Sequence, residues 1–253
     1  MSRIIAISNQ KGGVGKTTTA ISLSGALLDY SKKVLLIDMD PQGNCSRGVG
    51  VDASLLKHTL FDVFVSSMDV KKVIKKTAFK GLDILPCTVN LAIAEGKMSY
   101  SSPLTKLKEV ISEVEDNYDY IIIDTPPSYG FLSMSSLIAA NEVLIPVQCE
   151  YFALEGVAQI LATISNIQTN HNKSLNILGF LMTMYDARLK LATDITMEIR
   201  GLFKEKTFVT QIPRNNSIIE AQVEGIPITL FRPSSISAQA YLSLAREIMD
   251  REK

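Results

Sequence analysis

A glycine-rich run near the start of the chain constrains its fold more than any other feature. Residues 11–17 contain three glycines and two lysines and end in a threonine. Glycines let the backbone turn tightly, so that several N–H groups point at one phosphate. A lysine can then reach the β- and γ-phosphates, and a threonine hydroxyl can ligate Mg²⁺. The run predicts a phosphate loop, formed by Lys11, Gly12, Gly13, Val14, Gly15, Lys16 and Thr17 and followed by Thr18.

The segments on either side of this run have the patterns that a phosphate loop requires. Residues 3–8 read as a buried strand and residues 18–30 have helical spacing. The loop therefore joins a strand to a helix N-terminus, where the helix dipole favours an anion. The general pattern has glycine where this chain has Gln10, and Lys11 is an additional lysine. The alternative is a glycine-rich turn that binds no nucleotide.

Length and composition exclude several classes of protein. The 253 residues fit one large α/β domain, and we expect a single domain over residues 1–253. No run approaches the length of about 18 apolar residues that a membrane-spanning helix needs. The first strand begins at once, which leaves no room for a signal peptide. The scattered cysteines, Cys45, Cys87 and Cys149, predict neither a disulfide framework nor a metal centre, and we expect a cytoplasmic protein.

The charge balance gives no sign of a general affinity for nucleic acid. The chain has 26 basic and 26 acidic residues and a net charge of zero. Any contact with DNA must therefore come from a local basic patch. The densest basic run, residues 71–76, is predicted to be the solvated face of a helix.

Short apolar runs alternate with longer helical patterns along the whole chain. The apolar runs do not alternate with polar residues, which is typical of strands covered on both faces in a parallel sheet. The pattern predicts an α/β fold: a single-domain, P-loop NTPase-like, doubly wound and mostly parallel sheet with helices on both faces. Strands are predicted over 4–7, 34–37, 82–85, 120–123, 143–147, 177–183 and 208–212, and helices over 17–29, 104–115, 132–140, 154–170, 192–204 and 235–250.

Carboxylates follow two of the predicted strands, beside the predicted phosphates. Asp38 and Asp40 follow the second strand, and Asp124 closes the apolar strand that begins at Tyr120, which is the Walker B form. Carboxylates at this edge of the sheet can position Mg²⁺ or orient an attacking water. The turn at 125–128 (T-P-P-S) is stiff and suited to sensing a γ-phosphate. The alternative is that Asp38 and Asp40 only cap a turn before Pro41.

Together these segments resemble the ParA/MinD family of deviant Walker A ATPases, and within it the short chromosomal-type ParA proteins, also called Soj. The resemblance covers nearly the whole chain, and Gln10 is usual in this branch. It is carried by residues 9–19 (N-Q-K-G-G-V-G-K-T-T-T), 38–44 (D-M-D-P-Q-G-N), 124–128 (D-T-P-P-S), 145–156 (I-P-V-Q-C-E-Y-F-A-L-E-G) and 212–215 (I-P-R-N).

The resemblance implies a role for each residue of the site. Lys11 corresponds to a signature lysine that reaches the phosphates bound by the partner subunit of a nucleotide-sandwich dimer, as an arginine finger does. Lys16 contacts the phosphates of its own subunit, and Asp40 orients or activates the hydrolytic water. The resemblance places Thr17, Asp38 and Asp124 at the magnesium ion, and Pro213 and Asn215 beside the adenine. The implied cofactors are ATP and Mg²⁺.

The resemblance also implies partners. These are a second copy in the presence of ATP, double-stranded DNA bound without sequence preference, and a ParB-type protein that stimulates slow hydrolysis. Arg188 and Arg214 match family DNA contacts, and Arg232 is a third candidate, whereas Ile226 stands where the family often has a basic residue. Such a protein is cytoplasmic and associated with the nucleoid.

Four other functions share parts of this pattern. A MinD-like membrane-surface ATPase would need a basic amphipathic extension, but the predicted last helix has a core-facing stripe and only residues 251–253 follow it. A long ParA type would need an N-terminal helix-turn-helix before the first strand, which begins at Arg3. An iron–sulfur relative would need cluster cysteines, which the three cysteines do not match. A ParA relative that positions another cargo would have the same site and stays open.

Overall fold

The computed structural model describes residues 2–101 and 103–251. Residues 252–253, the end of the short segment expected after the last helix, lie outside this range. Within the described residues one sheet holds eight strands, in the order β3-β4-β2-β5-β1-β6-β7-β8. All neighbours are parallel except β3, which runs antiparallel to β4. The strands are β1 Arg3–Ile7, β2 Val34–Asp38, β3 Lys75–Lys76, β4 Leu82–Leu85, β5 Tyr120–Asp124, β6 Glu142–Gln148, β7 Asn176–Tyr185 and β8 Thr207–Pro213.

Helices cover both faces of the sheet, and the predicted architecture is confirmed. Three of the long helices, α1, α8 and α9, each connect successive parallel strands, which is the doubly wound arrangement. The helices are α1 Lys16–Asp29, α2 Asn44–Arg47, α3 Leu60–Ser66, α4 Val70–Val73, α5 Asn90–Ser101, α6 Lys106–Ser112, α7 Phe131–Ala139, α8 Ala153–Asn170, α9 Lys190–Phe203, α10 Asn216–Glu224, α11 Ile228–Phe231 and α12 Ile236–Asp250. Among the described residues, none of these helices is long and apolar enough to cross a bilayer.

Two apolar clusters form the core, one on each face of the sheet. Ile4 and Ala6 of β1 belong to the cluster under α6 to α9, and Ile5 and Ile7 belong to the cluster under α1 and α12. Successive side chains of a strand point to opposite faces, so a central strand must be apolar at every position. This explains the continuous apolar runs in the sequence. The apolar stripe of α12 is buried against α1, as expected.

The basic run at 71–76 differs from its predicted helical face. Only its first part is helical, because α4 ends at Val73, and Lys75 and Lys76 form the edge strand β3. Val70 and Val73 are buried and anchor one helical turn, after which Ile74 adopts an extended backbone that directs the chain along β4. Lysines on a two-residue edge strand also discourage pairing with another chain.

The central strands bring the predicted site residues to one edge. β1, β2 and β5 are adjacent, and Asp38 lies directly opposite Asp124 in the register of β2 and β5. The phosphate loop leaves the end of β1 at that same edge, next to Asp124. The sheet topology therefore brings together three segments that are far apart in sequence.

Candidate active site

The loop between β1 and α1 has the backbone of a phosphate cradle. Gly13 and Gly15 have φ angles of 75° and 89°, in the left-handed region that favours glycine. Gly15 immediately precedes α1, so the first N–H groups of a 14-residue helix face the same space as the loop. A substitution at either glycine would strain this turn. The alternative of a turn that merely connects strand and helix leaves this convergence of donors unexplained.

Hydrogen bonds with β6, with β7 and with the residue after β5 hold the loop in place. The Thr183 hydroxyl of β7 donates to the Val14 carbonyl at 2.8 Å, and the Asn9 amide donates to the Pro146 carbonyl at 2.8 Å. Asn9 also accepts a hydrogen bond from the Lys11 N–H at 3.0 Å, and the Thr125 hydroxyl donates to the end of β1. The loop is held without using the N–H groups of Gly13 or Gly15.

Lys16 is the buried cation of the site. Its side chain is only 6% exposed, and its Nζ donates to the Lys11 carbonyl at 3.1 Å. Burial lowers the pKa of Lys16, and the nearby charges of Asp124 and Asp40 oppose this shift. A cation in this position compensates the carboxylates and can meet an incoming phosphate.

Asp124 is a buried carboxylate that no protein group satisfies. It is fully buried, and neither of its oxygens has a hydrogen-bond partner among the described residues. The Thr17 hydroxyl lies near enough to favour the charged form, but not in hydrogen-bonding geometry. Burial, followed by the charge of Asp38, raises the pKa of Asp124 well above its usual value. An unpaired buried carboxylate beside a hydroxyl fits a site for a divalent cation.

The protein alone does not supply a complete metal site. Within residues 2–101 and 103–251 there is no cluster of three His, Cys, Asp or Glu side chains that could hold an ion. This fits Mg²⁺ in particular, because that ion is usually bound by one or two carboxylates together with water and substrate phosphates. The protein donors at this edge would therefore form a complete metal site only together with a bound nucleotide.

Asp38 differs from Asp124, although the sequence places both at the magnesium ion. The Asp38 Oδ2 atom accepts hydrogen bonds from the N–H and the hydroxyl of Ser46 at 2.8 and 2.7 Å, and its Oδ1 atom accepts from the Asp40 N–H at 3.2 Å. Burial raises the pKa of Asp38 to about 6, and the bonds from Ser46 oppose this shift. Asp38 and Asp124 lie opposite each other at this edge of the sheet, but of the two only Asp124 lacks a hydrogen-bond partner among the described residues.

A cavity of about 530 Å³ opens beside the loop, within the range of small-molecule sites. Five of the predicted phosphate-binding residues and both predicted adenine residues line the same cavity, whereas Lys11, Gly12 and Val14 are not part of its lining. Its walls include Gly13, Gly15, Lys16, Thr17, Thr18 and Asp40 on one side and Met184, Pro213, Arg214 and Asn215 on the other. The Asn215 side chain also caps α10 by accepting from the Ser217 N–H at 2.8 Å, which fixes its position.

Lys11 lies outside the lining of this cavity. Its Nζ makes an ion pair with Glu150 at 3.3 Å, and the two side chains are 30% and 55% exposed. The two lysines of the loop therefore face different surroundings, one buried beside the carboxylates and the other at the surface. Glu150 was not among the predicted site residues. The only indication in the sequence that Glu150 belongs to the site was its position in the segment 145–156.

The three arginines predicted to contact DNA have different environments. Arg188 forms a two-point ion pair with Asp186, at 2.9 and 2.6 Å, and the two side chains are 88% and 20% exposed. Arg232 pairs with Glu220 at 2.9 Å and donates to the Ser217 hydroxyl. Arg214 lines the cavity instead. The hydrogen bonds from Arg188, and to a smaller extent the charge of Arg214, lower the pKa of Asp186 to about 2.

The sequence did not indicate two hydrogen-bonded contacts between elements of the site. Gln222 of α10 donates to the Thr18 hydroxyl at 2.8 Å, and it lines the cavity. Ser46, described above, lies in α2, and its N–H and hydroxyl donate to Asp38 at the end of β2. Both are tertiary contacts of common polar residues, and no motif distinguishes them from surface serines and glutamines.

Known proteins resemble this chain over its whole length. A protein-family model described as an AAA domain matches residues 2–177. The chain is 45% identical over 249 residues to the sporulation initiation inhibitor protein Soj of Bacillus subtilis, with 98% of each chain covered. It is 42% identical to the chromosome-partitioning ATPase Soj of Treponema pallidum, with 100% of this chain and 99% of that protein covered.

A solved structure gives the same result for the fold. Cobyrinic acid a,c-diamide synthase from Mycobacterium smegmatis, with a bound ATP analogue and magnesium, matches with a TM-score of 0.87 and 32% identity. The match covers 100% of this chain and 96% of the other. The similarity therefore includes the phosphate loop, the carboxylates and the far wall of the cavity.

Proposed function

Because the chain belongs to the ParA/Soj family of chromosome-partitioning ATPases, we propose that ATP drives it to form a homodimer that holds DNA without sequence preference. The chain is an ATPase, and its cofactors are ATP and Mg²⁺. In the proposed cycle, a ParB-type partner stimulates hydrolysis, which separates the dimer and releases the DNA. The observation that carries this proposal is the different placement of the two loop lysines.

Each residue of the site has a distinct part in this cycle. The loop N–H groups and Lys16 bind the phosphates, and the cavity wall at Pro213 and Asn215 receives the base. Thr17 and Asp124, together with phosphate oxygens, would hold Mg²⁺, and the ion would supply positive charge that neutralises the phosphates. Asp40 lines the cavity, and its carboxylate is proposed to orient or activate the attacking water.

Lys11 is proposed to act across the dimer. Its side chain is held at the surface by Glu150, outside the cavity of its own subunit, so a partner's phosphate could recruit it by displacing an exposed ion pair. Exposed ion pairs contribute only about 0–1 kcal/mol, and a phosphate carries more charge than Glu150. Breaking the ion pair of Lys11 therefore costs little free energy. The new contact between Lys11 and the partner's phosphate would form only in the ATP-bound dimer and would stabilise that state alone.

Lys11→Ala should separate ATP binding from dimerisation. We expect its ATP affinity to stay within about twofold of the wild type, because Lys11 does not line the cavity. The ATP-dependent dimer should be lost in sedimentation velocity, because the partner's phosphates lack their second cation. Lys108→Ala, which removes an exposed lysine from α6, is the matched control. A Lys11→Ala variant that dimerises normally with ATP would contradict the trans role.

DNA retention tests the function itself. With ATP, the wild type should bind nonspecific double-stranded DNA, and with ADP it should not. Because only phosphates are contacted, retention should fall steeply when salt is raised from about 50 to 200 mM. ATP turnover is measured in parallel with and without DNA. Failure to retain DNA with ATP at the lower salt would reject the proposal.

Two substitutions at one ion pair locate the contact. Arg188→Glu should weaken DNA retention by about tenfold or more and leave ATP-dependent dimerisation unchanged. Asp186→Asn should strengthen retention, because the carboxylate that now pairs with Arg188 competes with DNA phosphates. If Arg188→Glu instead loses the dimer, the residue is structural.

A further inference from the structure

The turn that carries Asp40 is held from two sides by residues outside the cavity. Asp40 lies between the end of β2 and the start of α2. Its carboxylate accepts a hydrogen bond from the Gln42 N–H at 3.0 Å, which belongs to the same turn. This bond shapes the turn but does not fix it relative to the sheet. The position of Asp40 must therefore depend on contacts that the turn makes with other elements.

Ser46 supplies the first of these contacts. Its N–H and its hydroxyl both donate to the same oxygen of Asp38, at 2.8 and 2.7 Å. The other Asp38 oxygen accepts from the Asp40 N–H at 3.2 Å. Asp38 thus connects Ser46, at the far end of the turn, to Asp40, the residue whose position matters. Ser46 is fully buried and is absent from the cavity wall.

Cys87 supplies the second contact, from the loop after β4. Its thiol donates to the Asp40 carbonyl at 2.8 Å, and the residue is fully buried. The backbone of the turn lies close to the same residue. A Cβ built at Gly43, whose φ is 65°, would be 3.2 Å from the Cys87 carbonyl. The Asp40 backbone is therefore bonded on its N–H side through Asp38 and on its carbonyl side by Cys87.

We propose that Ser46 and Cys87 are positioning residues for hydrolysis, which hold the Asp38–Asp40 turn so that the Asp40 carboxylate faces the attacking water. A misplacement of about 1 Å at a reacting group can cost about a hundredfold in rate. Neither residue lines the cavity, so neither contacts the nucleotide. Their removal should change the turnover number and leave nucleotide binding intact. The inference rests on the role proposed above for Asp40.

Each residue has a variant that removes its side-chain bond and one that keeps it. Ser46→Ala deletes the hydroxyl, and Ser46→Thr retains it. Cys87→Ala deletes the thiol, and Cys87→Ser retains a donor. Ser136→Ala is the matched control, because Ser136 is equally buried and its hydroxyl also donates at 2.7 Å, but to a backbone carbonyl within α7. Thermal unfolding of every variant reports whether it is folded under the assay conditions.

The measurement is steady-state ATP hydrolysis with an independent titration of ATP affinity. We expect kcat to fall about tenfold in Ser46→Ala and in Cys87→Ala, with KM and ATP affinity within about twofold of the wild type. Cys87→Ser should regain most of the lost kcat, and Ser136→Ala should resemble the wild type. If the two alanine variants are folded and turn over ATP at the wild-type rate, the proposal is wrong. It is also wrong if kcat and ATP affinity fall together, or if Ser46→Thr and Cys87→Ser are both as slow as the alanine variants.

The same series separates this inference from the proposal on which it rests. A normal rate in Asp40→Ala would reject the role of Asp40, and with it the purpose of any positioning residue. An inactive Asp40→Ala beside fully active Ser46→Ala and Cys87→Ala would reject only the present inference. Slow hydrolysis in all three variants, with ATP still bound, is the result that supports both.

Discussion

Lys16→Ala should lose at least about a hundredfold in ATP affinity, the largest effect on binding that we expect from any single substitution. Lys16 is the buried cation of the loop, and its ammonium group lies among the carboxylates of Asp124 and Asp40. Without it, the phosphates would face two carboxylates, and the residues that the structure describes include no other buried lysine or arginine to offset them. A hundredfold loss equals about 2.7 kcal/mol, within the range of a hydrogen bond to a charged group.

The experiment is a titration of the purified variant with ATP and Mg²⁺ by calorimetry. Lys173→Ala, an exposed lysine after α8, controls for the loss of one positive charge from the chain. Thermal unfolding without nucleotide should show that Lys16→Ala is folded, since its lysine makes one hydrogen bond in the protein. Unchanged ATP affinity in a folded Lys16→Ala variant would refute the assignment of the phosphate loop.

The sequence predicts the strands of the sheet well because burial on both faces leaves a clear pattern. Residues 4–7 and 120–123 are apolar throughout, and in the structure successive side chains enter the two core clusters in turn. The edge strand β3 has no such pattern. Its two lysines pair with β4 because the buried valines of α4 direct the chain there, and that is a tertiary effect.

The sequence predicts which strand ends meet at the site. It does not predict which hydrogen bonds each carboxylate oxygen accepts. Asp38 and Asp124 look equivalent in sequence, since each closes an apolar strand. The structure distinguishes them, because Ser46 donates to one oxygen of Asp38, whereas neither oxygen of Asp124 has a hydrogen-bond partner among the described residues. The chain must turn through α2 before that serine returns to β2. No local pattern encodes such a contact.

The predicted DNA contacts show a similar limit. The resemblance selects Arg188, Arg214 and Arg232 by their positions, and the structure adds a carboxylate partner for two of them. A guanidinium that is already paired must exchange its partner before it binds a phosphate. The net strength of a DNA patch therefore depends on Asp186 and Glu220 as much as on the arginines, and the sequence motif includes neither acid.

Asp40→Ala should stop ATP hydrolysis without preventing ATP binding. A positioned acid or base typically contributes a factor of about 10² to 10⁴ to a rate, so we expect a fall of at least about a hundredfold in phosphate release. ATP affinity should stay near that of the wild type, because Lys16 and the loop N–H groups remain and one repulsive carboxylate is removed. Hydrolysis separates the proposed dimer, so the variant should accumulate as an ATP-bound dimer that retains DNA.

Single-turnover phosphate release and sedimentation velocity, each with ATP, measure the two halves of this prediction for Asp40→Ala. Asp40→Asn keeps the size of the side chain and the oxygen that accepts from the Gln42 N–H, so it tests whether the charge is required. Equal losses of hydrolysis in both variants would assign the effect to the carboxylate as a base, and a nearly active Asp40→Asn would assign it to water orientation alone. Normal hydrolysis in Asp40→Ala would show that another group performs this step, and loss of ATP binding would place Asp40 in the binding site instead.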